Sequence, residues 1–182
     1  MLEDLSQHIL DIAENSSGAG ASSVIIEISE DVRANVLSMT VEDNGCGMSP
    51  EFLAKVTDPF TTTRTTRRVG MGLPFLKQSS EMCGGEFSIS SEPGKGTRTR
   101  ATFAYDNIDR PPLGDIPATV MTIFMGHTEI DWTYKHVYNG REFSVTTLEL
   151  VEALEDRELL STIDVGLWIR DMVSEGLAEL LV

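Results

Sequence analysis

At 182 residues the chain is long enough for one ample domain, or for one domain with a C-terminal extension. Its 41% hydrophobic and 24% charged content is typical of a globular protein, and no apolar run approaches the roughly 20 residues that span a bilayer. The formal net charge of −15 argues against nucleic-acid binding through the general surface. The chain has two cysteines, Cys46 and Cys83, which are too few for a disulfide framework, so we expect a cytoplasmic protein. Because no apolar run is long enough to span a bilayer, we also expect no membrane contacts.

The first half of the chain predicts helices and strands in succession. Apolar residues recur at helical spacing over residues 4–17, and Asp4 is a plausible N-cap. Another helix is predicted from Pro74 to about Met82, because the first turn of a helix tolerates proline. The remaining predictions are strands over 24–28, 36–41, 86–91 and 97–105, a short helix over 50–56, and a loop over 61–69.

The prolines and glycine of residues 109–114 predict a boundary, so we divide the chain into a domain, 1–106, and an extension, 107–182. In the extension we predict a strand near 119–125, a hairpin that turns at Asn139-Gly140, and two amphipathic helices over 148–159 and 163–180. Residues 106–182 hold 15 acidic and 5 basic side chains. We expect the extension to enlarge the sheet or to form a surface for a partner or for a second copy.

A carboxylate followed by two glycines stands out after the second predicted strand. Asp43 is followed by Gly45 and Gly47. A carboxylate can accept a hydrogen bond from the exocyclic amine of a purine, and glycine lets the backbone approach closely. Ordinary turns use the same residue types, so the pattern needs support from the rest of the chain.

The predicted first helix carries oxygen ligands and carboxylates. Asp11 and Asn15 are four residues apart and share a face. An amide oxygen suits Mg²⁺, and a carboxylate one turn earlier could orient or deprotonate water. Glu14 adjoins Asn15 but lies about 100° around the helix. Both carboxylates could instead be solvated helix charges.

Two glycine-rich segments follow. Residues 70–73 lead into the helix of Pro74, and such a helix N-terminus offers free N–H groups to phosphates. Arg64 precedes this segment and could pair with phosphate oxygens. Gly96 and Thr97 end a turn between two strands, where the hydroxyl could reach an adenine or its bound water. Each segment could also be a plain loop or turn.

The order of these segments resembles the ATP-binding superfamily of gyrase, certain chaperones, histidine kinases and mismatch-repair ATPases, known as the GHKL or Bergerat-fold family. The resemblance covers about residues 5–104. It implies an α+β fold, a two-layer α/β sandwich with a mixed, mostly antiparallel sheet covered by helices on one face. The stretch from Cys83 to Thr97 looks most like a histidine-kinase catalytic domain, whereas Asn15 to Ala21 is similar to the mismatch-repair ATPases.

The resemblance also implies the cofactors, ATP and Mg²⁺, and the residues of the site. Asn15 corresponds to the magnesium ligand, Asp43 to the residue that recognises the adenine amine, and Asp11 and Glu14 are the catalytic candidates. The implied nucleotide contacts are Asn15, Asp43, Gly45, Gly47, Met48, Phe60, Arg64, Gly70, Met71, Gly72, Leu73, Gly96 and Thr97. Members that hydrolyse ATP usually carry Glu at the position of Asp11, which is one methylene shorter.

We interpret the chain as a stand-alone, kinase-type ATP-binding domain. It would transfer the γ-phosphoryl group to a His or Ser on a separate partner protein in signal transduction, because no phosphoacceptor His precedes the predicted site. His8 lies within the predicted first helix, where we expect it to pack or to face solvent. The alternatives are a conformational switch that binds ATP with little turnover, and a mismatch-repair-like ATPase.

Overall fold

A computed structural model describes residues 4–58 and 72–182 of the chain. In this part of the chain six strands form one sheet, in the order β3-β4-β2-β1-β5-β6. The strands are β1 (Ser23–Asp31), β2 (Val36–Asp43), β3 (Phe87–Glu92), β4 (Gly96–Ala104), β5 (Asp131–Tyr138) and β6 (Arg141–Thr146). The α-helices are α1 (Leu5–Gly18), α2 (Pro50–Leu53), α3 (Gly72–Met82), α4 (Ile116–Gly126), α5 (Thr147–Leu154) and α6 (Ile163–Leu180), and a 3₁₀ helix covers Arg157–Ser161.

The sheet is mixed, and only one of its pairings is parallel. Strand β1 lies between β2, which is antiparallel to it, and β5, which is parallel. Val24 is therefore opposite Asp43 on one side and Trp132 on the other. The remaining neighbours, β2 with β4, β3 with β4 and β5 with β6, are antiparallel. The predicted mixed, mostly antiparallel sheet is confirmed.

The two faces of the sheet differ in polarity because side chains alternate along each strand. Val24, Ile26 and Ile28 of β1 are fully buried on the face that the helices cover. Lys135 lies on the opposite face, where its ammonium group contacts the carboxylates of Glu27 and Glu142. The sequence alternation in β1 thus explains the two-layer sandwich, with an apolar layer beneath the helices and an ionic outer face.

Helix α1 begins where its sequence predicts. The Asp4 carboxylate accepts a hydrogen bond from the Gln7 backbone N–H at 3.0 Å and so caps the helix. Leu5, Ile9 and Ile12 are buried against the sheet. The helices and strands predicted up to residue 105 are present within a few residues of the expected bounds, apart from the loop over 61–69, which lies outside the described residues.

The strand predicted near residues 119–125 is wrong, because this segment belongs to helix α4. Its β-branched residues favoured a strand, but Asp115 accepts a hydrogen bond from Ala118 N–H and caps a helix. Ile116, Val120 and Phe124 are buried at spacings of four residues, so one helical face enters the core. Packing on α1 and α6 outweighs the local preference of the β-branched residues.

The helix predicted over 148–159 divides in two. Helix α5 ends at Leu154, because Glu155 adopts a left-handed backbone with φ of +59°. The Asp156 carboxylate then caps the 3₁₀ helix by accepting from Glu158 N–H. The predicted final helix and the hairpin that turns at Asn139-Gly140 are both present.

The C-terminal segment, residues 107–182, shares the sheet and the core with the preceding residues. Trp132 and Tyr134 of β5 are fully buried beside β1. A buried polar chain also crosses this pairing: His136 Nε2 lies 2.8 Å from a carboxylate oxygen of Glu30, and His136 Nδ1 lies 2.8 Å from the Tyr134 hydroxyl. Of the helices in the described ranges, none has both the length and the apolar character needed to cross a membrane.

We expect the two parts of the chain to unfold together. Ile169 of α6 is fully buried, so Ile169→Ala should lower the free energy of unfolding by about 2–5 kcal/mol through the cavity that it leaves. Leu167 on the same helix is 40% exposed, and Leu167→Ala should cost about 1 kcal/mol or less. Urea unfolding checks both variants, followed by far-ultraviolet circular dichroism and by tryptophan fluorescence.

The two signals distinguish a shared core from an appended tail. Both tryptophans, Trp132 and Trp168, belong to the C-terminal segment, whereas circular dichroism reports on the whole chain. We expect coincident transitions that shift together in Ile169→Ala. A fluorescence transition that moves alone would contradict the shared core.

Candidate nucleotide-binding site

A cleft of about 900 Å³ opens beside the last turns of α1 and the end of β2. The loop after β2 and the start of β4 border it, and so does one residue from the C-terminal segment. The residues that line it are Ile12, Glu14, Asn15, Ser16, Ser17, Gly18, Ala19, Gly20, Asp43, Cys46, Gly47, Met48, Phe52, Val56, Leu73, Thr97, Thr99 and His127. Seven of the predicted site residues, Glu14, Asn15, Asp43, Gly47, Met48, Leu73 and Thr97, are therefore brought to one cleft.

Asp43 supplies a fixed hydrogen-bond acceptor in this cleft. One carboxylate oxygen accepts from the Gly45 N–H at 2.9 Å, and the other accepts from the Ser16 hydroxyl at 2.9 Å. A carboxylate offers about four lone-pair positions, so acceptor capacity remains for a ligand. The two donors fix the orientation of the carboxylate, as recognition of a donor group requires.

The loop from Asn44 to Met48 is held on both sides by backbone hydrogen bonds. Cys46 N–H donates to the Ala19 carbonyl at 2.9 Å, which ties the loop to the end of α1. The Cys46 carbonyl accepts from Gly94 N–H at 2.8 Å, which ties it to the turn between β3 and β4. Ser91 links the same parts, since its Oγ accepts from Met48 N–H and lies 2.9 Å from Thr97 Oγ1.

Gly47 and Gly96 allow the two turns to approach each other this closely. Gly47 has φ of +66°, and a Cβ atom there would overlap the carbonyl group of Glu92. Gly96 has φ of +109°, and a Cβ atom there would overlap the carbonyl group of Asp43. Both positions thus require glycine for conformation and for space. Gly45 belongs to the same loop, and its N–H orients the Asp43 carboxylate.

Asp11 and Asn15 are one turn apart on α1, and only Asn15 is among the residues that line the cleft. Asn15 is half-buried and lines the cleft. A Cβ atom on Gly72 would overlap the Asp11 carboxylate, so this carboxylate lies directly against the first residue of α3. Burial, with a smaller contribution from the negative charge of Glu14, raises the pKa of the Asp11 carboxyl group. Asp11 is thus a candidate proton acceptor beside a helix N-terminus.

Glu14 has a partner that the sequence did not reveal. Its carboxylate lies 3.0 Å from His127 Nε2, and His127 Nδ1 lies 3.0 Å from the Ser17 hydroxyl. His127 follows α4, 113 residues after Glu14 in the chain. No local spacing connects residues so far apart, and His127 was therefore missed as a residue of the site.

Two other side chains of interest, His8 and Cys46, differ in their exposure. His8 is 2% exposed, and burial is the main cause that lowers the pKa of its imidazole. Its Nδ1 has no hydrogen-bond partner in residues 4–58 and 72–182. Cys46 is exposed at the cleft, between the two glycines of the loop.

Four predicted nucleotide contacts lie outside the described residues. They are Phe60, Arg64, Gly70 and Met71. Their assignment stays a prediction from the sequence pattern, and the geometry of the site rests on the other residues.

The loop geometry yields a prediction about stability. Gly94 and Gly47 both have positive φ, but a Cβ atom on Gly94 has no neighbour within 4 Å. Gly94→Ala should therefore lower the free energy of unfolding by about 1–2 kcal/mol, the cost of holding alanine in a left-handed conformation. Gly47→Ala should lower the free energy of unfolding by about 1–3 kcal/mol more, because the Glu92 carbonyl must move.

Urea unfolding of the two variants measures this difference. Equal losses would mean that the two turns are not packed against each other as described.

Comparison with known proteins agrees with this geometry. Residues 1–107 match the family described as "Histidine kinase-, DNA gyrase B-, and HSP90-like ATPase". A "Putative sensor protein" of Shewanella frigidimarina is 35% identical over 109 residues, which are 59% of this chain and 17% of that protein. "Sensor protein kinase FleS" of Pseudomonas aeruginosa is 35% identical over 108 residues, which are 59% of this chain and 26% of that protein. The chain thus matches about a quarter or less of these relatives.

Two solved structures share the fold at low sequence identity. The N-terminal domain of a DNA repair protein superposes with a TM-score of 0.56 at 16% identity, over 79% of this chain and 52% of that chain. The MutL ATPase domain of Aquifex aeolicus, complexed with ADP, superposes with a TM-score of 0.50 at 16% identity, over 86% of this chain and 69% of that chain. Both superpositions extend beyond the 107 residues of the family match.

The family match covers most of the residues that build the cleft, from Asn15 on α1 to Thr97 on β4. The relatives match stretches of similar length, 109 and 108 residues, and the solved structures share the fold. The chain therefore belongs to the family of histidine kinase-, DNA gyrase B- and HSP90-like ATPases.

Proposed function

We propose that the protein binds Mg·ATP in this cleft and transfers the γ-phosphoryl group to a His or Ser side chain of another protein in signal transduction. The observation that carries the proposal is the oriented carboxylate of Asp43, held by Gly45 and Ser16 within a cleft of about 900 Å³. A cleft of this volume lies in the usual range for ligands the size of a nucleotide.

The proposed pose follows from the donors and acceptors of the cleft. Asp43 would accept a hydrogen bond from the exocyclic amine of adenine, with Thr97 beside it in the neighbouring strand. Met48 and Leu73 line the same cleft and offer apolar contact to the base or the ribose. A guanine presents a carbonyl where adenine presents the amine, so the Asp43 carboxylate favours adenine.

Asn15 is the residue that would hold magnesium. Its amide oxygen is a hard donor, and within residues 4–58 and 72–182 no group of three or more His, Cys, Asp or Glu could hold a metal ion. One protein ligand suits Mg²⁺, which keeps several waters and binds mainly through substrate phosphates. When bound, this ion would neutralise charge on the phosphates.

Asp11 and the start of α3 would act on the phosphate end of the nucleotide. The N–H groups in the first turn of α3 can bind phosphate oxygens. The Asp11 carboxylate beside Gly72 can accept the proton of an attacking hydroxyl or water. The raised pKa of Asp11 makes it a stronger base than an ordinary aspartate.

The histidines of this chain do not present an obvious phosphoacceptor. His8 is 2% exposed and His136 is 3% exposed, so neither is open to a nucleotide. Both ring nitrogens of His127 are engaged, with Glu14 and Ser17. This supports an acceptor on a partner, and the names of the relatives, a sensor protein and a sensor kinase, favour signalling.

Asp43→Asn tests the adenine assignment. In this variant an NH₂ group, which cannot accept a hydrogen bond, replaces one carboxylate oxygen and faces at least one hydrogen-bond donor. The free energy of ATP binding should therefore weaken by about 1–3 kcal/mol, a loss of affinity of roughly fivefold to more than a hundredfold. Calorimetric titration with Mg·ATP measures the change. Glu152→Gln, on the exposed surface of α5, is the matched control and should bind as the wild type does.

Thermal unfolding of Asp43→Asn accompanies the titration, to show that the variant is folded. A folded variant with wild-type affinity would mean that Asp43 does not recognise the adenine.

Labelled ATP distinguishes the proposed kinase from its alternatives. With the wild-type protein and candidate partners, we expect label on a partner's His or Ser. Release of inorganic phosphate without transfer would select an ATPase, and tight binding without either would select a conformational switch.

Asp11→Asn separates binding from chemistry in the same assay. Because an amide cannot accept the proton, phosphate release and transfer to Ser should stop, while ATP affinity stays within about twofold. Transfer to a His nitrogen needs no such base and should persist. In the wild type, protonation of Asp11 should abolish phosphate release and transfer to Ser on acidification. Because the pKa of Asp11 is raised, this loss should occur at a higher pH than for an ordinary aspartate, whose pKa is about 3.9. Phosphate release, or transfer to Ser, that survives in Asp11→Asn would remove this role.

A further inference from the structure

We propose that His127, from the C-terminal segment, is a positioning residue for the magnesium ligand Asn15. The inference rests on the proposed binding of Mg·ATP and adds a residue that lies beyond residues 1–107, where the family match ends. The imidazole bridges Glu14 and Ser17, which flank Asn15 on the last full turn of α1. It thereby holds the turn that presents the amide.

His127 is itself held by a rigid frame. Its carbonyl oxygen accepts from Ile130 N–H at 3.2 Å and from the indole N–H of Trp132 at 3.0 Å. Trp132 is fully buried in β5, next to β1. The backbone N–H of His127 donates to the Ile123 carbonyl and caps α4. The imidazole therefore projects from fixed backbone, and only 20% of its side chain is exposed.

The chemistry of the bridge fits a positioning role. A carboxylate can only accept, so Nε2–H donates to Glu14, and the hydrogen bond is charge-assisted. This contact fixes the Glu14 carboxylate beside His127, and both residues line the cleft. Without it, the carboxylate next to Asn15 is free to change rotamer within the cleft, where it would compete for the cation or repel the phosphates.

The position of the bridge argues against a purely stabilising role. Glu14 is 59% exposed, and exposed ion pairs contribute little to stability. A second carboxylate, Glu129, lies 3.7 Å from His127 Nδ1 and is 69% exposed. His127 also lines the cleft together with Asn15, so the bridge is placed where it affects the ligand site.

The experiment compares ATP binding with and without magnesium in the full chain. Calorimetry with Mg·ATP, and with ATP in excess chelator, gives the gain in affinity that magnesium provides. In His127→Ala this gain should fall by about three- to tenfold, the loss expected for one ordinary hydrogen bond because the exposed Glu14 carboxylate is screened by solvent, while metal-free binding changes less than about twofold. His127→Gln, whose amide N–H can replace Nε2–H, should restore most of the gain.

Glu129→Gln is the matched control, because it removes the other carboxylate near the ring and leaves both contacts to α1. It should keep the wild-type gain. Thermal unfolding of each variant shows whether a change in binding reflects lost stability. Equal losses of metal-free and magnesium-dependent binding in His127→Ala would show a merely structural role.

The outcomes separate this inference from the proposed function. A wild-type protein with no measurable affinity for ATP overturns both. A wild-type magnesium gain that persists in His127→Ala, or that His127→Gln fails to restore, overturns the role of His127 alone.

Discussion

The carboxylate of Asp43 is the point at which the parts of the cleft meet. It ends β2, accepts from Ser16 on α1, and accepts from Gly45 in the glycine loop. Its backbone carbonyl also faces Gly96, at the start of β4, where only glycine leaves enough space. One residue thus contacts a helix, the glycine loop and the start of a neighbouring strand. Because each of these elements is fixed by backbone hydrogen bonds elsewhere, the carboxylate is oriented before any ligand arrives. Ligand binding therefore carries little entropic cost for ordering this acceptor.

The C-terminal segment contributes to the same architecture. Strand β5 extends the sheet beside β1, and α6 packs on α4 and β6. The segment reaches the cleft through His127, whose backbone is fixed by Trp132. A change in the packing of this segment would therefore be transmitted to α1 by a short, rigid connection. Such a connection gives a physical route by which a partner bound to the segment could alter the nucleotide site, provided that the partner favours one arrangement.

Whether a feature of the fold or of the site could be predicted depends on how far apart its residues lie in the sequence. The glycine loop, Asp43 and the helix of Asn15 follow from spacings of a few residues, because turn and helix geometry is local. The helical state of residues 116–126 was missed because its β-branched residues favour strands, and only contacts with α1 and α6 decide the matter. The pairing of Glu14 with His127 was also missed, since it depends on the placement of a whole layer of the fold.

The parallel pairing of β1 with β5 has a consequence for synthesis of the chain. Strands β2, β4 and β3 can pair as soon as residue 104 has emerged, but the other edge of β1 must wait for β5, which ends at Tyr138. At about 5–20 residues per second, this delay lasts seconds. During that time eight residues of β1, from Ser23 to Glu30, carry unpaired backbone groups alongside Val24, Ile26 and Ile28. An open apolar strand edge is a template for aggregation, so the nascent chain is vulnerable to it in this interval.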